Sequence, residues 1–436
     1  MKNKIENLLN NLKPEIERDF SDLISIRSLK GEKEEGYPFG RDIGKVLETG
    51  LNIGEKLGFK TRNLDGYAGI LEMGESDDYI GIFGHLDVVP EGTGWKTPPY
   101  TLTKDSGKFY ARGVLDNKGP ILACIYGVKI LRELGINFNR KVRIVLGTDE
   151  ESGMSDMNYY LSKEKPPVMG FTPDCKFPVV YGENGVLRIK LTYPLLEGKS
   201  YRLERIEGEY SKAFIPDYTK ICYQNGEKTE EIVGEGKKAP SNNPYLGSNS
   251  LINAISSISD EILEKLDAGS AFKEILELFS DVYGERLGIK YKNPETGEVL
   301  VSLYEIKKNE EKLEVYLSVR YPVNCSEKTI VEEIEKRISG KFEIEFSMPS
   351  VVKDREGEMV RKMSEAYLEM TNLDSNPVTT TGGTYARKVP NIVAFGPSFP
   401  NEKGIAHNRD EYIEVEHFYK LIKIYALAIY KLLEIE

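Results

Sequence analysis

Residues 79–87 have the sequence YIGIFGHLD, in which a nearly continuous apolar run stops at Gly84-His85. Such a run predicts a strand that is buried on both faces of an α/β sheet. A second strand of this kind is predicted at Val142–Leu146, and the helical apolar spacing after Gly119-Pro120 predicts a helix between the two. Strand and helix patterns alternate up to about Gly185, which predicts a mostly parallel sheet with helices on both faces.

The pattern changes at about Val186, where shorter alternating strands and polar turns begin. Two long helical patterns follow near Leu251–Leu266 and Phe272–Leu287, and these features together predict a separate α+β module. A chain of 436 residues also exceeds what one hydrophobic core usually serves. We therefore predict the α/β class, with a mixed, mostly parallel sheet flanked by helices and an inserted α+β domain. The predicted boundaries are 1–186 for the first part of the α/β domain, 187–352 for the insertion and 353–436 for the second part.

Charged residues make up 30% of the chain and give a formal net charge of −11 at pH 7, while hydrophobic residues make up 40%. The negative net charge argues against a nucleic acid partner, because the phosphate backbone carries the same sign. The composition instead fits a solvated surface around a site for small molecules.

The four cysteines are far apart in the sequence and form no CxxC pair. They are therefore interpreted as reduced thiols rather than as a thiolate zinc site or a redox motif. The N-terminal segment has no apolar stretch long enough for a signal peptide, and no uncharged apolar run is long enough to span a bilayer. The sequence alone therefore predicts a cytoplasmic protein with no membrane partner.

The chain contains three histidines, His85, His407 and His417. His85 ends the first predicted strand, where the two-residue period of a strand places Asp87 on the same side. Asp87 would then accept the second imidazole N–H, as a carboxylate does when it orients a metal-bound histidine. Taken alone, this motif favours a strand-end histidine that is satisfied by its neighbour. His417 lies on a predicted C-terminal helix and is interpreted as a surface or boundary residue.

Acidic residues follow several predicted strands: Asp116 lies in a glycine-flanked turn, Glu150 and Glu151 come after Val142–Leu146, and Asp174 is further along. An isolated acidic triplet is usually a solvated loop or a helix N-cap. Several carboxylates at buried strand ends, however, repel one another unless cations lie between them. Imidazole and carboxylate ligands without thiolates suit zinc, with manganese or cobalt as alternatives, and a carboxylate shared by two ions would make a two-metal hydrolytic site.

Six segments spread over nearly the whole chain, taken together, resemble a known family. The segments are GHLDVVPEGTGW (84–95), ARGVLDNKGP (111–120), GTDEESG (147–153), TPDCKFPVVYGENG (172–185), TTTGGTYAR (379–387) and the region around AHNRDEYI (406–413). They are similar to the zinc-dependent exopeptidases that include peptidase V dipeptidases, acetylornithine deacetylase, succinyl-diaminopimelate desuccinylase and carnosinase. The closest likeness is to the peptidase V branch.

The resemblance implies a hydrolase that uses two zinc ions per chain to split the amide bond of a dipeptide or a similar small substrate. Glu150 would be the general base that takes a proton from the attacking water, and Asp87 would be the orienting residue. The resemblance also implies a cis peptide bond between Asp116 and Asn117. The metal ligands it implies are His85, Asp116 and Asp174 for one zinc, and Asp116, Glu151 and His407 for the other, with Asp116 bridging.

The inserted module corresponds to the lid of this family, which closes over substrate. Arg320 matches the lid arginine and would bind a substrate carboxylate by paired hydrogen bonds, although without the resemblance a surface arginine explains it nearly as well. Gly383 and Thr384 would offer backbone N–H groups to the substrate. The family commonly has a lid histidine and a lid asparagine, and these positions hold Pro240 and Ala213 here. Loss of one oxyanion donor typically costs about 2.7–4 kcal/mol, or roughly 10²–10³ in turnover.

These departures leave three hypotheses open. The first is a dipeptidase in which Ser241, Asn242 or Asn243 replaces the missing donor. The second is an N-acyl amino acid deacylase, and the third is a metal-containing peptide-binding protein that has lost turnover. The expected partner is thus a small peptide or an N-acyl amino acid. A monomer is favoured over a homodimer, because the long insertion resembles the peptidase V branch.

Overall fold

The computed structural model of the protein describes residues 1–400, 402 and 405–435. The chain forms two compact units. The first unit contains Met1–Tyr181, Lys353–Val378 and Gly383–Glu436, and the second contains Gly182–Val352 and Thr379–Gly382. Each unit has its own cluster of buried apolar side chains.

The first unit begins with helices that alternate with the strands of its main sheet. In chain order the elements up to residue 183, of which the last runs across the boundary at Tyr181, are α1 (Lys2–Ile24), α2 (Arg41–Lys56), β1 (Lys60–Leu64), β2 (Ala68–Met73), β3 (Tyr79–His85), β4 (Thr103–Asp105), β5 (Lys108–Tyr110), α3 (Lys118–Glu133), β6 (Lys141–Gly147), α4 (Ser155–Lys163), β7 (Met169–Thr172), β8 (Cys175–Lys176) and β9 (Val179–Glu183).

The second unit is an α+β arrangement of short strands and helices. Its elements are β10 (Gly185–Pro194), β11 (Tyr201–Gly208), β12 (Phe214–Ile215), β13 (Tyr218–Asn225), β14 (Lys228–Glu235), β15 (Ala239–Pro240), a 3₁₀ turn (Pro244–Leu246), α5 (Ser250–Ser256), α6 (Asp260–Lys265), α7 (Gly269–Phe279), β16 (Lys292–Asn293), β17 (Gly297–Glu298), β18 (Leu300–Asn309), β19 (Lys312–Tyr321), α8 (Glu327–Glu335), β20 (Lys341–Met348) and β21 (Val351–Val352).

The chain then completes the first unit, except for residues 379–382, which belong to the second unit. The remaining elements are α9 (Glu358–Thr371), β22 (Val378–Thr380), a 3₁₀ turn (Tyr385–Arg387), β23 (Ile392–Phe395), β24 (Pro397–Ser398), β25 (Tyr412–Glu414) and α10 (Val415–Leu433).

The main sheet of the first unit has the strand order β1-β2-β6-β3-β7-β23-β9. Its central strands β6, β3, β7 and β23 are parallel, whereas the pairs toward the edges are antiparallel. Every residue of β3 is buried, as its apolar run predicts. Helices α1 and α10 pack on α3, and α2 packs on β1 and β2. Because β3, β6 and β7 are parallel, the residues that follow them lie at one edge of the sheet.

The second unit contains an antiparallel sheet with the order β18-β19-β10-β20 and a smaller antiparallel sheet with the order β11-β13-β14. The side chains that form its core come from β10, β18 and β19 together with helices α5 to α8. The predicted α/β class with an α+β insertion is confirmed by these elements.

Two helix predictions in the second unit were wrong in extent. The pattern at Leu251–Leu266 forms two helices, because the chain turns after Ser256 and the Ser259 side chain accepts a hydrogen bond from the Ile262 N–H to begin α6. The pattern at Phe272–Leu287 begins earlier and ends at Phe279. None of the described helices is both long and apolar enough to cross a membrane.

Candidate metal centre

His85 is the last residue of β3 and is fully buried. Its Nε2 atom lies 3.0 Å from Asp116 Oδ1 and 3.6 Å from Asp174 Oδ2. Its Nδ1 atom lies 2.9 Å from the backbone oxygen of Asp87 and 3.4 Å from the Asp87 carboxylate. The nearest partner of Nδ1 is thus the Asp87 carbonyl rather than the predicted carboxylate. Either oxygen fixes the ring so that Nε2 faces the two other carboxylates.

Asp116 lies in the turn before α3, and its peptide bond to Asn117 is cis, as predicted. The turn is held by Glu411, which is fully buried. Glu411 Oε1 accepts the backbone N–H groups of Gly113, Leu115 and Asp116 at 3.1, 2.9 and 3.2 Å. Burial raises the pKa of the Glu411 carboxyl to about 6, although the Arg112 guanidinium, 2.6 Å from Oε2, opposes that rise. Glu411 therefore fixes the backbone that presents Asp116.

Asn117 connects two of the strand ends. Its Oδ1 accepts the backbone N–H of His85 at 3.2 Å, and its Nδ2 donates to the backbone oxygen of Pro173 at 2.6 Å. Nδ2 also lies 3.4 Å from Asp174 Oδ1. This buried amide therefore holds the end of β3 beside the turn that follows β7.

The turn after β6 carries Glu150 and Glu151, and the carboxylates of Asp87 and Asp156 bind its backbone N–H groups. Asp87 accepts the N–H groups of Glu150 and Glu151 at 3.2 and 3.1 Å, one on each carboxylate oxygen. The preceding N–H groups, of Thr148 and Asp149, bind the carboxylate of Asp156 at 2.7 and 3.1 Å. Four consecutive backbone N–H groups are thus bound by two buried carboxylates. These hydrogen bonds fix the backbone of the turn, and the backbone sets the direction of the two glutamate side chains.

His407 comes from a turn near the C-terminus, where its φ of 66° lies in the left-handed region. Its Nε2 atom lies 2.9 Å from Asp116 Oδ2 and 3.1 Å from Glu151 Oε1. The His407 side chain is 52% exposed, so this side of the centre is open. Asp116 therefore contacts an imidazole with each of its two oxygens, His85 through Oδ1 and His407 through Oδ2.

The structure thus brings together all five predicted ligand positions in two groups that share Asp116. Within each group, the possible ligand atoms lie within 4.8 Å of one another. The two groups are His85, Asp116 and Asp174, and Asp116, Glu151 and His407.

The centre has an excess of carboxyl groups. Burial, followed by the charge of Asp174, raises the pKa of Glu150 well above its ordinary value. Burial and the charge of Asp116 likewise raise the pKa of Glu151, and they raise that of Asp174 to about 7. Burial lowers the pKa of His407, but its hydrogen bonds to Asp116 and Glu151 outweigh this effect and raise it to about 11. Without cations, the centre can offset the negative charge of its carboxylates only by keeping protons on its carboxyl and imidazole groups.

Divalent cations fit this donor set. The two groups contain only imidazole nitrogen and carboxylate oxygen, which suit zinc and also manganese or cobalt. Cations between the carboxylates would remove the repulsion that raises the pKa of Glu151 and Asp174. The residues present therefore fit a pair of ions that share Asp116.

The other predicted residues lie outside these two groups. Arg320 is in the second unit, on β19, where it donates a 3.1 Å hydrogen bond to the backbone oxygen of Thr381. Gly383 and Thr384 belong to the first unit, and the buried Thr384 hydroxyl accepts the Ala386 N–H. His417, on α10, lies 2.5 Å from Glu402, as expected for a boundary residue.

The two departures from the lid pattern are neighbours in the second unit. Pro240 pairs with Phe214, the residue after Ala213, and the Ser241 N–H donates to the Ala213 carbonyl at 2.9 Å. The Ser241 hydroxyl donates to the Lys212 carbonyl at 2.9 Å. Ser241 is therefore already engaged, and the Asn243 amide donates to Asn242 Oδ1 at 3.2 Å. Among the suggested replacement donors, this leaves the side-chain N–H groups of Asn242.

Three residues that shape the centre, Glu411, Asn117 and Asp156, were not among the predicted site residues. Glu411 and Asn117 lie within the quoted motifs beside predicted ligands, and that adjacency was the available signal. Asp156 had no comparable signal, because its role depends on hydrogen bonds to backbone groups of another turn.

The sequence matches one family profile and is similar to relatives of about the same length. Residues 81–431 match the profile described as Peptidase family M20/M25/M40. A relative from Bacillus subtilis (strain 168), named "Putative dipeptidase YtjP", is 32% identical over 457 aligned residues, which cover 96% of this chain and 97% of the relative.

Solved structures share the fold at low sequence identity. Human carnosine dipeptidase 1 has a TM-score of 0.61 and 15% identity, with 100% of both chains covered. The YXEP protein of Bacillus subtilis, described as a dinuclear metal binding peptidase from the M20 family, has a TM-score of 0.56 and 13% identity. That comparison covers 98% of this chain and 99% of the other.

Proposed function

Because this chain belongs to peptidase family M20/M25/M40, and is therefore an enzyme of the metallopeptidase type, we propose that it hydrolyses the amide bond of dipeptides with two bound zinc ions. The observation that carries this proposal is the pair of ligand groups that share Asp116. Manganese and cobalt suit the same ligands, and the name of the Bacillus subtilis relative supports the choice of dipeptides.

The proposed ligand roles follow from the contacts. His85, Asp116 and Asp174 would hold one ion, and Asp116, Glu151 and His407 would hold the other, with Asp116 bridging. Ions at these positions would supply Lewis acidity and lower the pKa of water toward ~7.

Glu150 is the proposed general base. Its backbone N–H is held by Asp87, and in the metal-free protein burial and the charge of Asp174 raise the pKa of its carboxyl well above the ordinary value. It would take the proton of the attacking water and deliver it to the leaving amine. Glu151, the next residue, is in contact with His407, so the two glutamates of one turn would have different tasks.

Substrate recognition is proposed to involve Arg320, Gly383 and Thr384. A guanidinium suits the carboxylate of a dipeptide, and the backbone N–H groups of a glycine-containing segment suit a developing oxyanion. Because Pro240 and Ala213 replace the lid histidine and asparagine, N-acyl amino acids are retained as one alternative substrate class. The comparisons give no support to a peptide-binding protein without turnover.

The proposal is tested with purified protein loaded with zinc or manganese and offered free dipeptides and N-acetyl amino acids side by side. Release of amino acids from dipeptides, lost on chelation and in a Glu150→Gln variant, is the expected result. Cleavage confined to N-acetyl amino acids would favour the deacylase. Absence of any metal-dependent hydrolysis would overturn the proposal. A monomer in the cytoplasm stays a prediction, tested by light scattering and by cell fractionation.

A further inference from the structure

Asp156 and Tyr385 form a buried pair beneath the turn that carries Glu150 and Glu151. Both side chains are 0% exposed, and the Tyr385 hydroxyl donates to Asp156 Oδ2 at 2.5 Å. Among the described hydrogen bonds, none joins the side chain of either residue to the side chain of a proposed metal ligand. The two residues are 229 positions apart in the chain, so their pairing is a tertiary feature of the first unit.

One oxygen of the Asp156 carboxylate accepts three of the four hydrogen bonds described for this group. Oδ2 accepts the Thr148 N–H at 2.7 Å, the Asp149 N–H at 3.1 Å and the Tyr385 hydroxyl, while Oδ1 accepts the Met157 N–H at 2.7 Å. This carboxylate therefore fixes the first half of the turn, as Asp87 fixes the second half.

The pair is packed closely against Gly147. A Cβ atom added at Gly147 would lie 2.0 Å from the Tyr385 hydroxyl and 2.8 Å from Asp156 Oδ2. Gly147 ends β6, so a glycine there lets the pair approach the strand end directly beneath the turn. Tyr385 also follows Thr384 in the 3₁₀ turn, so the same hydroxyl links the glutamate turn to the segment proposed to bind substrate.

We propose that Asp156 and Tyr385 are positioning residues, which hold the turn of residues 147–151 so that Glu150 is directed at the reacting water. This inference rests on the proposed function for the role of Glu150, but the hydrogen bonds on which it depends are independent of that role. Small displacements of a catalytic group are costly, since about 1 Å of misplacement can reduce turnover by roughly 10²-fold.

The decisive variant is Tyr385→Phe, which keeps the buried ring and removes only the hydroxyl. Tyr126→Phe is the matched control, because the Tyr126 hydroxyl donates to the buried carboxylate of Asp19 at 2.7 Å, in contacts that do not involve the turn. Each variant is measured in the metal-loaded protein for kcat and KM on a dipeptide, for bound metal and for hydrogen–deuterium exchange of the peptide that covers residues 147–152.

Tyr385→Phe is expected to lower kcat by roughly 10–100-fold with KM and bound metal nearly unchanged, and to speed the exchange of residues 147–152. Tyr126→Phe is expected to leave all of these quantities at wild-type values. Asp156→Asn should show the same kcat loss with faster exchange, and if it fails to fold Tyr385→Phe decides alone.

Wild-type kcat and exchange in Tyr385→Phe would overturn the inference, as would a loss of activity that merely follows a loss of metal. A wild-type protein that cleaves no peptide would refute the proposed function instead. In that case the exchange of residues 147–152 alone decides whether the pair holds the turn, with unchanged exchange in Tyr385→Phe counting against it.

Discussion

Replacing Glu411 by glutamine tests how the bridging aspartate is presented. Glu411 is 0% exposed and binds three backbone N–H groups of the Asp116 turn as well as the guanidinium of Arg112, which is itself 1% exposed. Glutamine keeps the shape but removes the charge, so the Arg112 cation is left buried without its counter-ion. Breaking a buried ion pair in this way costs about 3–5 kcal/mol.

That loss corresponds to a fall in the unfolding temperature on the order of 10 °C for a domain of this size. Because the turn carries Asp116, the affinity for metal is also expected to fall, by roughly 10–100-fold. The assay is thermal unfolding of the metal-free protein together with competition for zinc against a chelator of known affinity.

Glu164→Gln is the control for this variant. Glu164 pairs with Arg62 and Arg143 at 2.8 Å, and its side chain is 16% exposed. Its carboxylate is remote from the Asp116 turn, so a smaller loss of stability and unchanged zinc affinity are expected. If Glu411→Gln unfolds at the same temperature and binds zinc as tightly as Glu164→Gln, the reasoning about the turn is refuted.

Three other outcomes are expected. Glu150→Gln should lower kcat by roughly 10²–10⁴-fold with metal content unchanged, and a matching loss of metal would show that Glu150 is a ligand instead. Asp116→Ala should abolish stoichiometric binding of both ions, measured by elemental analysis, and retention of two ions would contradict its bridging role. Burial raises the pKa of the Asp156 carboxyl to about 7, so the folded protein binds this proton more readily than the unfolded chain between about pH 4 and 7. The stability from this group is thus fully present below about pH 4 and is lost as the pH rises to about 7. The unfolding temperature of metal-free wild type, relative to Asp156→Asn, should therefore fall between about pH 4 and 7; a flat or rising difference in that range would contradict this.

The parts of the centre that lie at strand ends were accessible from the sequence. The apolar run that ends at His85 and the one that ends before Glu150 and Glu151 each predict a buried strand, and parallel strands bring their carboxyl ends to one edge. His407 is different, since it lies in a C-terminal turn and only the resemblance to a known family connected it with the others.

The supporting residues were not accessible in the same way. Glu411 lies in the same segment as His407, but it acts through backbone groups 295 to 298 positions away, and nothing in the segment indicates which N–H groups it binds. The same holds for Tyr385, whose hydroxyl reaches Asp156 across the fold. The break between α5 and α6 was missed because apolar spacing continues through it, whereas the serine cap at Ser259 decides where the second helix begins.

His85, Asp116, Glu151, Asp174 and His407 are remote in the chain and are proposed to hold two divalent cations together. Crystals grown with zinc and measured at the zinc absorption edge test this two-ion centre most directly. We predict two anomalous peaks per chain, both within roughly 2.0–2.2 Å of Asp116, one also bound by His85 and Asp174 and the other by Glu151 and His407. Peaks at other residues only, or a zinc-saturated crystal with no peak at these five side chains, would contradict the account.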